Sequence, residues 1–104
     1  MPVSYPNLDT LQTLNDQGKH TIVTWQDVQM NDVLRVEHWG RPCFLIVMDE
    51  GKYAAINRKP ALTRLAVLYF ENDGSNGWKL NVVADYPHVK LRKLGSWENG
   101  KISI

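Results

Sequence analysis

A chain of 104 residues, 43% hydrophobic and 22% charged, has the size and composition of one ordinary folded domain, and this excludes disorder as its main state. Its formal net charge of +1 excludes a uniformly basic, polyanion-binding surface. The charge is uneven, however: residues 1–57 carry 4 Lys/Arg against 7 Asp/Glu and residues 58–104 carry 8 against 4, enough for one mildly basic face.

Residues 1–18 read as an arm and short helix, and residues 19–104 as a β-rich core, together one domain. Leu8, Leu11 and Leu14 fall at i, i+3 and i+6, one apolar edge of a short helix that Asn7 caps and Gly18 stops. So short a helix is marginal in water and must lean on the rest. Residues 20–25, β-branched and aromatic, predict a strand. Across residues 25–39 two readings compete. Thr24 and Asp27 have the spacing of a capping box, with Met30, Val33 and Leu34 on one helical face and Gly40 as the stop. The alternation Leu34-Arg35-Val36-Glu37 instead gives a strand over residues 33–38, with Leu34 and Val36 inward and Arg35 and Glu37 outward. That strand, launched by a turn at Asn31-Asp32, is the better fit.

Residues 43–48 are six consecutive apolar residues with no polar face, the mark of a strand in the middle of a sheet covered on both sides. Asp49-Glu50-Gly51 supplies turn chemistry and residues 53–56 a second apolar run, which predicts a hairpin between the two. Over residues 60–71, Pro60 with Leu62, Leu65, Ala66 and Tyr69 has helical spacing, whereas Val67-Leu68-Tyr69-Phe70 is strand-prone. The polar loop 72–77 favours a hairpin. In the next segment Trp78, Leu80, Val82 and Ala84 alternate with Lys79 and Asn81, the pattern of a half-exposed strand. Asp85-Tyr86-Pro87 ends it, since proline cannot donate to a ladder. Alternation resumes with Val89 and Leu91 inward and Lys90 and Arg92 outward, and Asn99-Gly100 sets a last hairpin. The class is mainly β (β-rich α+β), a small barrel or sandwich of six to eight mostly antiparallel strands.

Asn31-Asp32-Val33-Leu34-Arg35-Val36, then Gly40, Pro42, an apolar strand, a turn with Gly51 and Tyr53-Ala54-Ala55-Ile56-Asn57, resembles the opening of SH3-like small barrels, which implies that architecture. With a helix over residues 25–39, Val36-Glu37-His38-Trp39-Gly40-Arg41-Pro42 followed by strand, turn and strand is similar to the core of Phd/YefM-type antitoxins. That second resemblance implies a DNA-binding dimer.

Catalytic chemistry finds few footholds. Cys43, the only thiol, lies five residues after His38, but it opens the most apolar run of the chain and reads as a small buried hydrophobe. A single cysteine also excludes an internal disulfide and fits a reducing compartment. His20, His38 and His88 lack the close spacings of a zinc site. Asp49-Glu50 sits in a turn and cannot flank a sugar, and residues 74–77 lack the lysine of a phosphate loop. No enzyme activity, metal or cofactor is therefore expected. Lys90, Arg92, Lys93, Trp97 and Lys101 combine phosphate-attracting charge with a stacking ring, and Trp39 with Arg41 are interface anchors. These residues predict a non-enzymatic binding or regulatory protein that engages another protein. Nucleic acid is the alternative partner, and self-association through an exposed strand edge is a further expectation. No run approaches the ~18 apolar residues of a membrane span, and the first residues lack a signal peptide's pattern, so the cytoplasm is the expected location.

Overall fold

The computed structural model describes residues 5–37, 42–49, 51–70 and 77–103. In chain order they form α1 (Leu8–Asp16), β1 (Thr21–Thr24), one 3-10 turn (Trp25–Asp27), β2 (Asp32–Val36), β3 (Cys43–Val47), β4 (Lys52–Ile56), β5 (Lys59–Phe70), β6 (Lys79–Asp85), β7 (Lys90–Glu98) and β8 (Lys101–Ser103). Asn7 caps α1 by accepting the Asp9 N–H at 2.8 Å, as its side-chain type predicts. The eight strands make one antiparallel sheet in the order β1-β7-β2-β3-β5-β4, with β6 on β5 and β8 on β7. The chain is thus mainly β with one short helix. Among the described residues no ladder joins β1 to β4 or β6, so the sheet is open.

Both faces of β3 are buried, as its unbroken apolar run requires. On one face Leu34, Val36, Cys43, Leu45, Val47, Ala66, Leu68 and Leu91 pack around Trp25. On the other, Val33, Phe44, Ile46 and Leu94 pack under Leu11 of α1. Burying these side chains is worth about 1.5–3 kcal/mol for each large one, and this burial holds a helix too short to stand alone. Cys43 is fully buried. Residues 32–36 and 59–70 are strands, so both competing helical readings fall, and the antitoxin resemblance loses the helix it rested on. Thr24 and Asp27 do meet, Oγ1 donating to Oδ2 at 2.7 Å, but the turn they start is only three residues long.

Three expectations about β geometry need correction. The hairpin predicted around Asp49-Glu50-Gly51 is not there: β3 and β4 pair end to end along one edge of β5, opposite β6. The Asp49 carboxylate fills in for a missing ladder partner, its Oδ1 accepting the Leu65 N–H at 3.0 Å while Met48 donates to the Leu65 carbonyl at 2.8 Å. Gly51, at φ 88°, lies against β5 so closely that a Cβ would come within 2.9 Å of the Thr63 carbonyl oxygen. The chain actually reverses at Asn57-Arg58, whose φ of 50° and 65° match a type I′ turn. No glycine marks it.

Arg35, expected outward, is buried, its guanidinium carbon 4.6 Å from the centre of the Phe44 ring. That face of β2 is covered by the α1 layer rather than by water, and the cation rests on an aromatic face. In β6, an inward apolar phase would bury Leu80 and Val82. The opposite holds: Val83 is buried, while Leu80 and Val82 are 63% and 64% exposed. The register with β5 sets this phase, because Val83 stands opposite Arg64 on the Trp25 side of the sheet.

Candidate interaction surface

The basic residues of β7 do not gather on one face. Neighbours on a strand point to opposite sides, and Arg92 and Lys93 do so here. Arg92 lies on the helix side, where its Nη1 donates at 3.3 Å to Asn15 of α1 and at 3.3 Å to Glu37. Lys93 reaches the buried Asp32, Nζ to Oδ1 3.1 Å. Asp32 in turn accepts the Gln29 N–H at 2.9 Å and the Ser96 hydroxyl at 3.4 Å. Lys90 is exposed where β7 begins, opposite Thr24. Trp97 packs partly buried against the second core, and Lys101 stands opposite Glu98. Trp39 and Arg41 lie outside the described residues.

A cavity of about 570 Å³ opens where the chain leaves α1, lined by Gly18, Lys19, His20, Lys93, Gly95 and Ser96 among others. The His20 Nδ1 atom is buried with no hydrogen-bond partner in the structure. The Lys93 of its lining is already committed to Asp32. Among the described residues no three of His, Cys, Asp and Glu gather as a metal-holding group, and no helix is long and apolar enough to cross a membrane.

The most distinctive surface is β6. Across the sheet, Val33, Ile46, Val67 and Leu80 stand in register on β2, β3, β5 and β6. The first three are buried and Leu80 is open to water. The apolar face thus runs on past the elements that cover it. Val82, opposite the half-buried Leu65, extends it, and the small, exposed Ala84 follows. At one end Trp78 closes the patch, with Tyr5 and Tyr69 at 5.6 and 5.7 Å between ring centres.

The free edge of β6 is equally well defined. Leu65 directs its N–H to Asp49 and its carbonyl to Met48, toward β3, so it bonds nothing of Val82 opposite it. The backbone groups of Leu80, Val82 and Ala84 therefore point away from β5. The Val82 N–H meets the side chain of its neighbour, Asn81 Oδ1, at 2.8 Å. Among the described residues no strand pairs with this edge. The apolar phase of residues 78–84 was plain in the sequence, but the side of the sheet it faces was not. Compared with descriptions of known protein families, with curated proteins and with solved structures, the chain matches none of them.

Proposed function

We propose that this is a non-enzymatic binding protein of the cytoplasm whose partner is another protein, docked along β6. One observation carries the reading: two large aliphatic side chains, Leu80 and Val82, are exposed side by side on a strand whose outer edge is unpaired among the described residues. Exposed strand edges are managed with charge, bulges or cover, and one that carries aliphatic side chains is a template for another chain. The ion pairs of Arg92 and Lys93 weigh against the nucleic-acid alternative, because carboxylates already neutralise these two cations. A single cysteine, which can form no internal disulfide, supports a reducing compartment. We extend the same reading to architecture, as an SH3-like barrel left unclosed. Trp25 supports it by spanning the gap from the end of β1 to Leu62 of β5.

A photo-cross-linking residue at position 82 tests the proposal, with one at the equally solvent-facing position 22 of β1 as control. Cross-links to protein from position 82, abolished by Leu80→Lys, are expected. Equal cross-linking from both positions, or capture of nucleic acid alone, would overturn it.

A further inference from the structure

The order of charges along β6 narrows the partner. The strand reads Lys79-Leu80-Asn81-Val82-Val83-Ala84-Asp85, with a cation and an anion each three residues from Val82. An antiparallel copy paired about a two-fold axis at Val82 would use all seven residues. It sets Val82 against Val82, Leu80 against Ala84, and Lys79 against Asp85 of the second copy, the last pair occurring twice. The geometry selects this centre independently. Outward backbone groups belong to residues 80, 82 and 84, so Val82 sits on the axis as a hydrogen-bonded pair. Each Val82 N–H exchanges its bond to Asn81 Oδ1 for the other copy's Val82 carbonyl. Lys79 and Asp85 then fall at non-hydrogen-bonded positions, where facing side chains come closest. Moving the axis to Asn81 or Val83 shortens the ladder and parts the opposite charges.

We infer that the protein occupying the β6 edge is a second copy of this chain, joined as a closed two-fold dimer with one continuous sheet across both protomers. This inference rests on the docking reading above and adds the partner's identity to it. Leu80, Val82 and Ala84 of each protomer lie on the same side of the joined sheet, where they touch their counterparts side by side and form one stripe across the axis. Pairing consumes the β6 edge on both copies, so no third copy can add at that edge. A seven-residue ladder with a narrow apolar stripe is small beside the ~1,200 Å² of a stable interface, so the dimer should depend on concentration.

Sedimentation velocity over a concentration series of the full chain tests this. The wild type should pass from monomer to dimer. Lys79→Asp, which sets like charges opposite one another twice, should weaken association on the order of tenfold, and Lys79→Asp with Asp85→Lys should restore it, because the exchanged charges again face each other. Val82→Lys should abolish it, with an unchanged circular dichroism spectrum showing that the fold is kept. A dimer indifferent to the charge exchange would overturn the register. A chain monomeric at every concentration would overturn self-pairing, while cross-links from position 82 to a different protein would leave the docking reading standing.

Discussion

The indole N–H of Trp25 donates to the backbone carbonyl of Leu62 at 2.7 Å. Trp25 follows β1 at one end of the sheet path and Leu62 lies on β5 toward the other, so this bond crosses the opening where no ladder runs. The indole is fully buried and its donor has no water to fall back on. Trp25→Phe keeps most of the apolar bulk but loses the bond across the opening and part of the ring's packing. We expect a loss of about 1–3 kcal/mol, read as a lower urea midpoint with an unchanged slope.

Arg64 supports the same junction from below. It is buried, with Nη1 3.3 Å from the Asp49 carbonyl and Nη2 3.3 and 3.4 Å from the carbonyls of Trp25 and Gln26. Its guanidinium carbon stands 5.5 Å from the Trp25 ring centre. A planar fork reaches several acceptors at once and an ammonium does not. Arg64→Lys should therefore destabilise the fold by about 1.5–3 kcal/mol, nearly as much as Arg64→Met. Thermal melts of the two variants side by side check this. A lysine variant as stable as the wild type would show that charge alone suffices.

The turn at Asn57-Arg58 places two non-glycine residues at positive φ. An ordinary side chain pays roughly 1–2 kcal/mol in that region, less for asparagine. Arg58→Gly should stabilise the chain by about 1 kcal/mol, and Arg58→Val should destabilise it by a similar amount. Chemical denaturation gives the sign directly.

Gly95 is constrained by close approach rather than by φ. A Cβ there would lie 2.6 Å from the Ser103 carbonyl oxygen and 2.9 Å from Ile102 Cγ2. Gly95→Ala must push β8 off β7, and Trp97, which pairs with Ile102, loses its cover. We expect about 1–3 kcal/mol of destabilisation and faster amide exchange confined to β8 and the end of β7.

The fold was legible where one residue type forces one geometry. The apolar run at residues 43–48 required burial on both faces, and Asn7 and Asn99-Gly100 fixed a cap and a turn. It was illegible where register decides. Asp49-Glu50-Gly51 has the composition of a hairpin turn, yet β5 is twelve residues long and can pair with β3 and β4 in succession, which no local signal reports. The surface was harder still. Alternation identifies the two phases of β6, but only pairing with β5 decides that Leu80 and Val82 face water. The charges of Arg92 and Lys93 were visible in the sequence. Asp32, which opens β2, and Glu37, which follows its last residue, meet them from more than fifty residues earlier in the chain.

Amide hydrogen exchange at Leu80, Val82 and Ala84, measured at low and high protein concentration, decides whether the β6 edge pairs with a second copy. These three amides should exchange more slowly as concentration rises, while those of β1, at the far edge of the sheet, should not change. Exchange at all three that is independent of concentration would rule out pairing along β6.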